Sequence, residues 1–187
     1  MSKLTVLVDM DEVIVNLVDS WLDMYHQLGG ERKTREDIKS YSMDGQFRDM
    51  ALFWKAIDRA PAMRIAKPLP GAIEGLRRLY ETHDTFIVTY ARTESWGKAH
   101  EAKLAWLWQH APWFDRDKVI FARHKHLVRG DVLVEDNPQT IARWLDQERR
   151  VWAYLIDQPW NRGERTYFVD RVNSLSDVAD ALCGGEI

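Results

Sequence analysis

The chain has 187 residues, 45% of them hydrophobic, which suits one domain with a sizeable core and room for an inserted subdomain. A formal net charge of -3 and a pI near 6.1 argue against a basic track for nucleic-acid phosphates or for an anionic membrane surface. A lone cysteine, Cys183, excludes an internal disulfide and suits a reducing, cytoplasmic setting. No run approaches the roughly 20 apolar residues of a membrane span, and the opening MSKLTVLVDMDE turns acidic too early for a signal peptide.

In chain order, Thr5-Val6-Leu7-Val8 is an apolar, β-branched run that reads as a strand buried on both faces. It runs into Asp9 and Asp11. On an extended chain these point to the same side, so two carboxylates converge at the carboxyl end of a central strand. Val13, Leu17, Trp21, Met24 and Leu28 have helical spacing over 13–28, and Gly29-Gly30 stops that helix. Thr34-Arg35-Glu36-Asp37 resembles a capping box for a short helix. Phe47, Met50, Phe53, Trp54 and Ile57 make an amphipathic helix over 46–58, ending before Pro61. Residues 17–66 thus form a helical block without a strand.

Strand and helix then alternate. The segment PLPGAIEGLRRLYE is a helix with Ile73, Leu76 and Leu79 on one face. Strands follow at Asp84–Thr89, Lys118–Phe121, Asp131–Val134 and Val151–Ile156. Helices follow at about Glu94–His110, Pro138–Arg149 and Ser174–Leu182, with Asn137 as cap of the second. This pattern predicts an α/β fold, a doubly wound, Rossmann-like parallel sheet.

Four polar features fall at predicted strand ends: Asp9 with Asp11, Thr89, the basic pair Arg123 and Lys125, and Glu135 with Asp136. In a parallel sheet those ends share one rim. Two like charges as close as Asp9 and Asp11 need an offset, and oxygen-only ligands suit Mg²⁺. An acid pair, a hydroxyl, a lysine and a further acid suit phosphoryl transfer.

This order resembles the haloacid dehalogenase (HAD) superfamily. DMDEV matches its first motif, Thr89 at the end of FIVT its second, and Glu135-Asp136 closing DVLVED its acidic fourth. FWKAIDRAP, PLPGA, GDVLVEDNP and LIDQPWNR narrow the likeness to the 5'(3')-deoxyribonucleotidases, the deoxy, cytosolic type C-like 5' nucleotidases. The resemblance implies a HAD-like core of residues 1–16 and 67–187 and a small helical cap, residues 17–66, inserted after the first strand. It implies Asp9 as nucleophile and Asp11 as general acid and base, its main-chain carbonyl also reaching the metal. Asp9, Asp11 and Asp136 would hold Mg²⁺, and Thr89 and Lys103 the phosphate, with Lys98 and Lys125 as the other candidate lysines. Relatives place an aromatic residue where this chain has Leu17, and a small one where it has Tyr90.

Tyr41, Phe47 and Trp54 are candidate base platforms, since stacking a base on a ring is worth about 1–3 kcal/mol. Phe53 is expected to pack the cap. Tyr90, Arg64 and Arg92 are candidates for phosphate or sugar contact. The expected function is Mg²⁺-dependent dephosphorylation of nucleoside monophosphates through an aspartyl-phosphate. The partner is a small molecule rather than a nucleic-acid polymer or membrane, and a homo-oligomer is compatible with the sequence. The alternatives are a phosphatase for another small phosphomonoester, such as a sugar phosphate, and a non-enzymatic receiver-like signalling module.

Overall fold

The computed structural model describes residues 2–58, 61–91, 98–147, 152–163 and 169–184. In chain order the strands are β1 (Thr5–Val8), β2 (Val15–Asn16), β3 (Lys67–Pro68), β4 (Asp84–Thr89), β5 (Val119–Phe121), β6 (Val132–Glu135), β7 (Trp152–Ile156) and β8 (Val169–Val172). Six of them form one parallel sheet in the order β5-β4-β1-β6-β7-β8. Along β1, Val6 and Val8 join one buried cluster and Leu7 joins another, so the strand is covered on both faces.

The helices are α1 (Leu17–Gln27), α2 (Met50–Asp58), α3 (Pro61–Ile65), α4 (Ala72–Thr82), α5 (Lys98–His110), α6 (Pro138–Leu145) and α7 (Leu175–Cys183). Three lie between β2 and β3, where the sequence predicts a helical block. The sheet reverses its direction of growth at β1: β4 and β5 lie on one side, β6 to β8 on the other. The carboxyl ends of β1 and β6 therefore face a topological switch point, where open α/β sheets bind ligands.

Most predicted elements are present, and the differences have local causes. The helix expected from residue 13 starts at Leu17, because residues 10–14 turn tightly and Val15–Asn16 pairs with Lys67–Pro68 instead. Asn16 caps α1, its Oδ1 accepting from Asp19 N at 3.3 Å. The helix expected from residue 46 starts at Met50. Asp49 precedes it as a local cap, with Leu52 N donating to its carboxylate at 2.9 Å. Pro61 opens α3, where proline at the first helical position costs nothing. Thr34–Asp37 closes as predicted: Asp37 Oδ2 accepts from Thr34 N and Oγ1, both at 2.8 Å. Strand β8 is unforeseen because Val-Asp-Arg-Val is short and half charged, as an edge strand can be. The expected helix start near Glu94 and helix end at Arg149 lie outside the described residues.

Candidate active site

Asp9 follows β1 directly, and its N–H donates to Val134 O at 2.9 Å, so the β1–β6 pairing continues through it. It is buried. Beyond it the chain leaves the strand. Ile14 and Val15 N–H groups both return to Met10 O, Glu12 N donates to Val15 O, and Glu12 takes φ +59. A two-residue alternation along one strand was expected to aim Asp9 and Asp11 together. Asp11 is instead placed by this turn, and its side chain goes to a different partner.

Around Asp9 lies a buried set of charges. Lys125, from the 3₁₀ turn Lys125–Leu127, reaches Asp9 Oδ2 at 2.6 Å and Glu135 Oε2 at 2.7 Å. Carboxylate oxygens of Asp9, Glu135 and Asp136 lie within 4.8 Å of one another, the one such acidic group among the described residues. Burial, then the charge of Glu135, pushes the Asp9 carboxyl up to about 7 against the pull of Lys125. Asp136 is held well above the ordinary carboxylate range by burial and by the charges of Glu135 and Asp9. Burial acts on Glu135 in the same sense, but Lys125 outweighs it and holds that carboxyl low. Burial alone would pull the Lys125 ammonium down, whereas Asp9 and Glu135 hold it above its usual value.

A second lysine completes the rim. Lys103, buried on α5, donates to Asp11 Oδ1 at 2.5 Å and to Thr89 Oγ1 at 2.8 Å. The sequence offers three lysines for one position; the fold brings two of them to the acids, Lys103 to Asp11 and Lys125 to Asp9 and Glu135, while Lys98 lines the adjoining cavity. Arg123 does not join the acids; its guanidinium lies 5.8 Å from the centroid of the Tyr90 ring.

That cavity, about 460 Å³, lies between the rim and the helical block. Asp11, Lys103 and Asp136 line its polar end. Leu17, Tyr41, Trp54 and Tyr90 line it as well, with Trp21 and Trp160, which sequence reasoning passed over. Phe47 does not. It is buried and stacks on Phe53 at 3.7 Å between centroids and 13° between planes, so it packs the block on itself instead of facing a ligand. Arg64 is exposed on α3 and is not among the cavity residues, while Arg92 lies outside the described residues. Trp160 donates from Nε1 to Asp136 Oδ2 at 2.9 Å. It follows β7 in LIDQPWNR, and the alternation of strands carries no signal for a side chain on a loop.

The acids suit a hard divalent cation. Glu135 is already engaged by Lys125 and by the N–H groups of Asp136 and Asn137. Three carboxyl groups beside one ammonium would, once ionised, carry an excess of negative charge that such an ion would neutralise. The expected metal set takes Asp11 through its main-chain carbonyl, and its carboxylate is engaged by Lys103.

The fold is that of the haloacid dehalogenase-like hydrolases. The chain aligns with such a hydrolase from Burkholderia xenovorans LB400 at a TM-score of 0.63 and 14% identity over 98% of both chains. It also aligns with a HAD family hydrolase from Deinococcus radiodurans R1, solved with bound phosphate and sodium, at a TM-score of 0.61 and 19% identity over 96% of this chain and 95% of that one. Within that class, residues 3–184 match the model of the 5' nucleotidase, deoxy (pyrimidine), cytosolic type C family, and the chain belongs to this family of hydrolases. It is 19% identical over 180 residues to the 5'(3')-deoxyribonucleotidase of Bacillus subtilis (strain 168), across 96% of this chain and 99% of the relative. Among the described residues no helix is long and apolar enough to cross a membrane.

Proposed function

We propose that this protein is a Mg²⁺-dependent phosphomonoesterase acting on nucleoside monophosphates, in a cytoplasmic setting, with Asp9 as nucleophile and residues 17–66 as a cap over the core. The observation that carries the reading is a juxtaposition: a buried, lysine-paired cluster of Asp9, Glu135 and Asp136, whose member Asp136 also lines the apolar, aromatic cavity. A phosphate at the polar end would put a base among Trp54, Trp21 and Tyr41.

Asp9 attacks phosphorus, and Asp11 protonates the leaving oxygen and then takes a proton from water. Lys103 and Thr89 hold phosphate oxygens, and Lys103 keeps Asp11 aimed. Lys125 fixes Asp9 against Glu135. Asp9, Asp136 and the Asp11 carbonyl would hold the cation, which when bound offsets the repulsion between carboxylate and phosphate. The helical block covers this chemistry and limits its water.

The test is phosphate release from a panel of nucleoside monophosphates and sugar phosphates, with and without Mg²⁺. Turnover of nucleotides in preference to sugar phosphates is the expected result; the reverse order would overturn the substrate assignment. Trp54→Ala sharpens it. Trp54 lines the cavity, whereas Phe47 is packed against Phe53. Losing one stacking partner, worth about 1–3 kcal/mol, should lower kcat/KM for nucleotides by roughly 5- to 150-fold and leave a small aryl phosphate nearly unaffected. Equal losses on both would make Trp54 a packing residue.

A further inference from the structure

Between β2 and β3 the chain sends one cation down to the rim. Arg35 opens the 3₁₀ turn Arg35–Asp37. Its Nη1 donates to Glu12 Oε2 at 2.5 Å and to Gln158 Oε1 at 2.7 Å. Its Nη2 donates to Asn16 Oδ1 at 2.5 Å, and its Nε to Asp19 Oδ1 at 3.2 Å. The guanidinium lies 5.6 Å from the centroid of the Trp160 ring. This is no surface ion pair of small worth: the side chain of Arg35 is 19% exposed and that of Glu12 6%.

Two lines of hydrogen bonds leave this fork. One runs to the turn that carries Asp11. Glu12 Oε1 accepts the N–H groups of Leu17 at 2.7 Å and Val18 at 2.6 Å, the first two of α1. Glu12 itself sits at φ +59, a conformation that a non-glycine residue holds only when its surroundings impose it. The other line runs to the end of β6. Gln158 N donates to Asn161 Oδ1 at 3.1 Å, and Asn161 Nδ2 donates to Asp136 O at 2.8 Å. The two lines are tied together where Gln158 Nε2 donates to Glu12 O at 2.9 Å.

We propose that Arg35 is a positioning residue: from the helical block it fixes both acid-bearing segments, the Asp11 turn and the Asp136 loop, so that covering the site and aligning its acids are one event. The proposal rests on the phosphatase reading above. Asp11 and Asp136 come from distant parts of the chain; Arg35 bonds toward both from the helical block, holding Glu12 on one line and Gln158, which joins the two lines, on the other. The role needs a planar fork whose three nitrogens make four bonds in fixed directions, whereas an ammonium offers three donors from a single point.

The test compares Arg35→Lys and Arg35→Gln with the parent. Kinetics are measured on a nucleoside monophosphate and a small aryl phosphate at saturating Mg²⁺, and amide exchange is followed over residues 10–18 and 156–161. Arg35→Lys keeps a charge for Glu12 and so guards against loss of the fold. Both variants should lose about tenfold or more in kcat on both substrates, with KM changed little, as misplacement of reacting groups predicts. Exchange should rise in both segments together. Glu12→Gln with Arg35→Lys should cost no more than the worse single change, because the two act as a unit. Parental kcat in the folded variants would reduce Arg35 to a structural residue. A loss confined to the nucleotide's KM would make it a substrate contact, and faster exchange in one segment alone would break the coupling; each outcome overturns the proposal. A parent that turns over neither phosphate would overturn the phosphatase reading, and the exchange data would then decide the coupling by themselves.

Discussion

Asp9→Asn should give a folded protein that still binds a nucleoside monophosphate and turns it over roughly 10⁴-fold more slowly, or worse, than the parent. The amide keeps the shape and keeps an acceptor for Met10 N, which donates to Asp9 Oδ1 at 2.6 Å. Lys125 keeps its bond to Glu135. Removing one of three clustered carboxylates relieves repulsion, so the change should not unfold the chain. What goes is the nucleophile. The covalent route makes a second, stereochemical prediction for the parent. A phosphorothioate ester made chiral with oxygen isotopes, hydrolysed in water of the remaining isotope, should give thiophosphate with net retention at phosphorus, since attack by Asp9 and then by water each invert it. Net inversion would mean direct attack by water and would end the assignment of Asp9.

The sheet was legible from the sequence because buried parallel strands write themselves as unbroken apolar runs. TVLV, FIVT and DVLVE each carry the mark, and each ends on or runs directly into a polar residue of the candidate site. The order of those ends along the chain was enough to place Asp9, Thr89 and Asp136 on one rim. Geometry beyond the strand ends was not legible. Asp11 was assigned its place by two-residue alternation, yet the chain turns at Met10, and that turn depends on Glu12 holding positive φ through contacts with α1 and Arg35. Lysines posed the same problem. Lys103 and Lys125 arrive from a helix and a loop whose side-chain directions depend on how each packs, and spacing does not distinguish one ammonium facing Thr89 from another facing Asp9. Helical periodicity gave the apolar faces of the block between β2 and β3 without dividing them. Phe47 and Trp54 have equal claims in the sequence, and only their packing sends one into the core and the other to the cavity.

Removing divalent metal with a chelator should abolish turnover, and the affinity for Mg²⁺ should rise with pH between about 5.5 and 8. In the metal-free protein the Asp9 carboxyl is pushed up to about 7, and Asp136 is raised as well. A cation bound there needs both as carboxylates, so at low pH it must displace protons and binds weakly. Above the Asp9 value the cost of displacing its proton is gone, and any further rise comes from Asp136. The effect on stability has the matching sign. An acid whose folded pKa lies above its unfolded one favours the fold while it is neutral, and this contribution fades as pH rises toward 7. Metal-free protein should therefore lose stability from Asp9 as pH rises from its unfolded value, 3.8, through about 7, and the stabilisation on adding Mg²⁺ should grow over the same interval. Asp136→Asn isolates the cause. It keeps an acceptor for the Trp160 N–H, which would otherwise be left unpaired at a cost of about 1–3 kcal/mol, while removing one charge from the cluster. The variant should bind Mg²⁺ far more weakly and, without metal, melt no lower than the parent at pH 8. Calorimetric titration in two buffers of different ionisation enthalpy counts the protons released. A pH-independent affinity, or full turnover in excess chelator, would mean that the cluster of Asp9, Glu135 and Asp136 is not where a metal acts.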